Sequence, residues 1–225
     1  AAVLARFSLL QRALGSLEAV RRVAYEPVED AWRDGVVAIE LRFAPAFIAA
    51  GTTLAAADIV AAAVEGARRG AERCPVEVAL IGILPRSASL EANREATRAL
   101  LEFHASGRPG AELVRGFDLA DQEDVHDPLP LVPLVDEARA AGLGITVHSG
   151  ENTSAAWVRR TLELAAGGGS LDWTVEGAGI TAHASLGMAL EGPNGTILLV
   201  MDDPFFDFRN RVLSAPPPIL AAAGR

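Results

Sequence analysis

The sequence predicts an α/β fold built from parallel strand–helix units, and three observations carry that expectation. Short apolar runs of strand length alternate with longer stretches of helical apolar spacing. The links between them are short and marked by Gly or Pro. Polar and charged residues collect just after the apolar runs, at what would be the C-terminal mouth of a parallel sheet. In α/β barrels that mouth is where chemistry is done.

The elements follow in order. Residues 1–34 carry helical spacing. Phe7, Leu10 and Leu14 are followed, beyond Gly15-Ser16, by Leu17, Val20 and Val23, and Val28 to Arg33 forms a further short helical piece. Gly35 ends this region. Val36 to Phe43 reads as the first strand, closed by Pro45, with Glu40 and Arg42 on one face and Ile39 and Leu41 on the other. A salt bridge is the simplest account of the two charges. A loop through Gly51 leads to a helix from about Leu54 to Arg73, started by Thr53 or Asp58. Val76 to Leu84 is the second strand, terminated by Pro85-Arg86, and Leu90 to Ser106 the next helix, with His104 a surface residue near its end.

Leu113 to Ala120 is the third strand, and it runs into the acidic stretch Asp118-Leu119-Ala120-Asp121-Gln122-Glu123. A loop with Pro128 and Pro130, holding a solvated His126, leads to a helix over Leu131 to Ala141. Gly142 and Gly144 break that helix. Ile145, Thr146 and Val147 are β-branched and read as a short buried strand, with His148 and Glu151 just past it. A helix from Ser154 to Ala166 follows, then Gly167-Gly168-Gly169. Ile180 to Ser185 is a weaker strand carrying His183, and Thr196 to Met201 is an apolar strand followed by Asp202-Asp203-Pro204. The tail, 209–225, with three consecutive prolines, carries no assigned element. Five strands and a weaker sixth fall short of an eight-stranded barrel. The pattern therefore fits either an open doubly wound sheet or a barrel lacking two units, in a single domain over 1–225.

Composition excludes several functions. A net charge of −9 argues against a nucleic-acid or anionic-membrane surface. One cysteine, Cys74, rules out an intramolecular disulfide framework and a zinc site built on cysteine pairs. A metal would have to use carboxylates and the four histidines His104, His126, His148 and His183. No apolar run reaches the roughly 18 residues of a membrane span, and no basic-then-apolar leader opens the chain, so it reads as cytoplasmic. The chain starts within a helical pattern and without Met, the expectation for a truncated or processed protein.

The polar residues at strand ends are Asp118 to Glu123, His148 with Glu151, His183, and Asp202 with Asp203. Such a set suits a metal-activated hydrolase. Imidazole and carboxylate hold zinc, which lowers the pKa of bound water to about 7, and a nearby carboxylic acid carries a proton.

Four segments carry a specific resemblance. Val147-His148-Ser149-Gly150-Glu151 resembles the His-Ala-Gly-Glu signature of the adenosine deaminase family. Gly35 to Pro45 resembles that family's second-strand segment, Gly116-Phe117-Asp118-Leu119-Ala120 its Gly-x-Asp-Leu-Ala stretch, and Met201-Asp202-Asp203-Pro204 its last-strand Asp-Asp-Pro. The likeness is good to about residue 166, weak over 167–195 and recovers around 196–208. It implies an incomplete TIM-type barrel, one Zn2+ ion, and hydrolysis of the 6-amino group of a small-molecule aminopurine or nucleoside. By the resemblance, His148 and Asp202 would be metal ligands and Glu151 would protonate the purine ring. Asp203, Asp118, Asp121 and Gly150 would contact substrate, and His183 is the possible counterpart of the histidine that helps activate water.

The departures are also specific. The family's first strand carries a His-x-His pair supplying two zinc ligands, whereas the first histidine here is His104. That strand and a late Ser-Asn strand are expected to be absent. The family's glycine after Asp-Leu-Ala is Asp121 here. With two ligands fewer than usual, weak zinc binding and near-background deamination are expected of the chain. The competing class is a non-catalytic purine-binding remnant or a fragment of a longer enzyme.

Overall fold

The computed structural model describes residues 11, 13–123, 125–149, 153 and 157, and the backbone of 188–191 and 197–200. Helix α1, Leu17–Arg33, starts at Ser16, whose side chain accepts a 3.1 Å hydrogen bond from the Ala19 N–H. That bond satisfies one of the free N–H groups of the first turn. Glu18 in the first turn and Arg33 in the last complement the helix dipole. Pro27 lies inside this helix without dividing it, so the two helical pieces expected here are one.

Strand β1 is Ala38–Phe43. The loop expected after it is in fact a helix, α2, Pro45–Ala50. Proline in its first turn has the φ a helix start needs and no N–H to leave unpaired. Helix α3, Ala56–Arg73, begins at Ala55 with no side-chain cap, so Thr53 does not cap it, and Asp58 sits in its first turn. Strand β2 is Glu77–Pro85 and helix α4 is Leu90–Ala105, capped by Ser89. Strand β3 is Val114–Ala120, helix α5 is Val132–Ala140 and strand β4 is Gly144–His148. Between α5 and β4 the chain reverses at Gly142, φ +85°. The Gly142 N–H bonds to the Arg139 carbonyl and the Leu143 N–H to the Ala138 carbonyl. This paired closure ends the helix on a left-handed glycine and aims β4 back along the sheet.

Strands β5, Met188–Glu191, and β6, Ile197–Val200, complete a sheet of order β1-β2-β3-β4-β6-β5. The pairs from β1 through β4, and β4 with β6, are parallel. The β5–β6 pair is antiparallel; β5 was not among the expected strands, and the expected strands that are described pair in parallel. Residues 192–196 are too few for a crossover, and a link that short joins antiparallel neighbours. The expected helix Ser154 to Ala166, the strand Ile180 to Ser185 and the tail 209–225 lie outside the described residues.

Strands β1 to β4 lie side by side in sequence order, each joined to the next through helix. A doubly wound sheet reverses its order at a switch point. The run without reversal is that of successive barrel units, left as an open sheet among the described residues. The core explains the one-sided build. Leu80, Leu84, Phe117, Leu119, Ile145 and Val147 project from the strands into one cluster. There they meet Val60, Val64 and Ala67 of α3, Leu100 and Phe103 of α4, and Leu134, Val135 and Ala138 of α5. Each fully buried Leu, Val or Phe contributes about 2 kcal/mol of transfer free energy. Strand alternation then puts Arg42, Asp118, Thr146 and His148 on the opposite face.

Candidate active site

Three strands bring four polar side chains together. Asp118 on β3 has a fully buried side chain. Its carboxylate accepts 2.5 Å from Arg42 Nη1 on β1 and 2.9 Å from the Thr146 hydroxyl on β4. His148 Nδ1, at the end of β4, is 3.1 Å from the carboxylate. Burying a carboxylate is costly unless its oxygens are bonded and its charge is met. Here both conditions hold. Burial alone would push the Asp118 pKa up. The hydrogen bond and charge of His148, with Arg42 and Thr146, outweigh it and hold this carboxyl below its ordinary range.

Because the carboxylate accepts, Nδ1 is the nitrogen that carries the proton. In the uncharged form of the ring this leaves a lone pair on Nε2. The His148 side chain remains 27% exposed, so that lone pair can meet a ligand. A carboxylate behind a histidine is the usual way of fixing the ring of a metal ligand. His148 therefore fits the part of one zinc donor. Among the described residues no group of three His, Cys, Asp or Glu side chains could hold a metal ion.

The other expected site residues divide. The carboxylate of Asp118, a residue expected to touch substrate, is engaged by Arg42, Thr146 and His148. Asp121 has φ +79° and is exposed, its carboxylate accepting from the Ser87 N–H at 3.1 Å and from the Ser87 hydroxyl. The backbone there keeps the left-handed form that favours glycine, and Asp is among the side chains that tolerate it. Gly150, Glu151, His183, Asp202 and Asp203 lie outside the described residues. His126 is exposed, as expected, and His104 is half-buried, its Nδ1 buried and without a hydrogen-bond partner among the described residues.

Sequence reasoning passed over two participants, Arg42 and Arg86, and gave a third, Glu123, no role beyond its place in the acidic stretch. Arg42 counted only as half of a strand salt bridge, although a charge inside an apolar strand was the available signal. Arg86, 2% exposed, donates from Nη2 to the His148 carbonyl. Burial lowers the pKa of its guanidinium, only partly offset by the negative charges of Glu123, Asp118 and Asp121. Glu123, 1% exposed, accepts from the Thr153 hydroxyl. Arg86 does not stand out by residue type next to a turn, and only the fold buries it and Glu123.

A layered sheet of barrel units, with an oriented imidazole at the strand mouth, defines the class as a barrel-type α/β protein. The family model described as adenosine deaminase matches residues 1–167, and the chain belongs to the adenosine deaminase family. It is 41% identical over 140 residues to adenosine deaminase of Klebsiella pneumoniae (strain 342), covering 62% of this chain and 40% of that protein. The chain thus spans about two fifths of the length of the curated relatives it matches. Among solved structures it resembles the N6-methyl-AMP deaminase of Arabidopsis thaliana, with 25% identity and a TM-score of 0.60, over 72% of this chain and 48% of that one. A zinc-bound amidohydrolase from Burkholderia ambifaria aligns with 28% identity and a TM-score of 0.53, over 61% of this chain and 36% of that one. No helix among the described residues is long and apolar enough to cross a membrane.

Proposed function

We propose that this chain contributes to a zinc-dependent aminopurine deaminase, with His148 as a metal donor. The observation that carries the reading is the His148 imidazole held by the buried Asp118 at the strand mouth. When bound, zinc supplies a water acidic enough to attack at neutral pH. His148 would hold the ion through Nε2. Asp118 keeps the ring in one tautomer and stabilises its orientation, and Arg42 and Thr146 fix the carboxylate in turn. Asp202 is the second donor in this reading. Leu199, its neighbour three positions earlier, is the register partner of His148 across β4 and β6, which supports the assignment. Glu151 delivers the proton to the purine ring nitrogen next to the attacked carbon, and Asp203 hydrogen-bonds the purine. His183 assists in activating the water. The substrate is a small aminopurine or nucleoside, by likeness to relatives named for adenosine and N6-methyl-AMP. Sparse cysteine supports a reducing, cytoplasmic setting.

Catalytic zinc usually takes three protein ligands, and His148 and Asp202 are two. The 225-residue chain is therefore expected to bind zinc below stoichiometry and to deaminate adenosine near background. Joined to a segment with a His-x-His strand, it should gain both together. Elemental analysis for zinc, beside loss of the adenosine absorbance band, makes the test. Stoichiometric zinc with brisk turnover in the 225-residue chain would mean that other residues form the site.

A further inference from the structure

Arg86 heads the fully buried side chains by volume among the described residues, yet the proposed chemistry gives it no task. It stands just past the end of β2. Its backbone N–H donates to the Ala120 carbonyl at the end of β3, at 3.0 Å. Its side chain reaches past β3 and donates from Nη2 to the His148 carbonyl at the end of β4. One residue thus ties together three strand ends, two of which are not neighbours in the sheet.

Burial makes this costly. Nε and Nη1 of Arg86 are buried without a hydrogen-bond partner among the described residues. A buried donor left unpaired costs about 1–3 kcal/mol. An apolar side chain of similar volume would fill the same space without that cost, as replacements of buried ion pairs elsewhere demonstrate. A space-filling role therefore does not account for a guanidinium here. Among the described residues, its one side-chain hydrogen bond is to the backbone of the residue that presents the imidazole.

We propose that Arg86 is a positioning residue, holding the His148 carbonyl so that the end of β4 presents the imidazole to Asp118. The inference rests on the reading of His148 as the metal donor only for its purpose, since the hydrogen bond itself is independent of any metal. The His148 backbone sits at the last position of β4. Without the Arg86 bond the strand end gains freedom, and the Nδ1 contact with Asp118 loosens.

The test is nuclear magnetic resonance on the full chain without metal, with histidine labelled with 13C and 15N and arginine labelled with 15N. The four histidines make assignment simple, since the His148 signals are those lost in His148→Gln. In the wild-type chain His148 should show one tautomer, Nδ1–H. In Arg86→Met it should become a mixture with Nε2–H, while the His104 and His126 signals stay in place. A merely structural role would lower the unfolding midpoint and leave the tautomer unchanged, and that result in folded Arg86→Met overturns the proposal. Should Arg86→Met fail to fold, the wild-type chain decides alone. The Arg86 Nη2 protons should exchange slowly and show coupling across the hydrogen bond to the His148 carbonyl carbon. Fast exchange without coupling overturns the proposal equally. Zinc content and adenosine turnover are measured separately. If both are absent from the chain even when extended, the deaminase reading fails while the tautomer result still decides the role of Arg86.

Discussion

At Asp118 three strands of the sheet converge on one carboxylate, and its charge has a consequence for stability against pH. Its pKa is held below the ordinary carboxylate value of about 3.9. A carboxyl lowered by folding contributes stability that is present above its unfolded pKa and lost as pH falls through the folded one. Acid should therefore weaken the native state from about pH 4 downward, and urea unfolding across that range reads it. In Asp118→Asn that part of the acid sensitivity should vanish. The same variant should lose about 3 kcal/mol at neutral pH, because Arg42 is left part-buried without its counter-charge. An unchanged acid limb in the variant would assign the pH dependence elsewhere. Asp121 offers a second test. Its φ of +79° suits glycine, while its carboxylate makes two bonds to Ser87. Both Asp121→Gly and Asp121→Ala remove those bonds, and only alanine retains the backbone strain. Alanine should thus cost about 1 kcal/mol more than glycine in thermal unfolding. Equal costs would mean that the loop relaxes out of the left-handed region.

Helix packing depends on where side chains are missing. A Cβ built on Gly66 of α3 would lie 2.1 Å from the Arg21 carbonyl oxygen of α1. That neighbour is backbone and cannot rotate aside. Gly66→Ala must therefore push the two helices apart, at about 2–3 kcal/mol by the usual cost of overpacking. Gly107 makes the contrast, since it has φ +65° with nothing within 4 Å of the added carbon. Gly107→Ala should cost about 1 kcal/mol, the backbone strain alone. Thermal unfolding of the two variants should rank them in that order, and the reverse ranking would show that α1 yields easily. The chain signalled some elements and hid others. Helix α4 was legible within a residue because Ser89, Glu91 and the apolar spacing agree. Helix α2 was not, because six residues give too few periods to count, and only proline in its first turn marked it. Strand β5 was passed over because Met188, Ala189 and Glu191 are weak strand formers, and pairing with β6 decides it.

Over the whole molecule, the helices share one face of the sheet and the polar constellation takes the other. The proposed reaction draws on both a metal donor and a proton carrier, and the two roles separate by variant. In an active, zinc-loaded extended chain, Glu151→Gln should abolish turnover with the metal retained, since the residue moves protons. Asp202→Ala should lower zinc content and turnover together, each by tenfold or more, on the order of losing a ligand. Metal analysis beside the absorbance assay separates them, and loss of zinc from Glu151→Gln would recast that residue as a ligand. The sequence by itself determined the strand–helix alternation, the family, and the placement of His148 at a strand mouth. These follow from local periodicity and from short motifs that survive without knowledge of neighbours. Only the tertiary structure decided that Arg42, Asp118, Thr146 and His148 form one network, and that Arg86 ties the strand ends beneath it. Those partners are 28 to 104 residues apart in the chain. Burial and hydrogen-bond partners at that range are set by which strands lie side by side, and no local pattern encodes that adjacency.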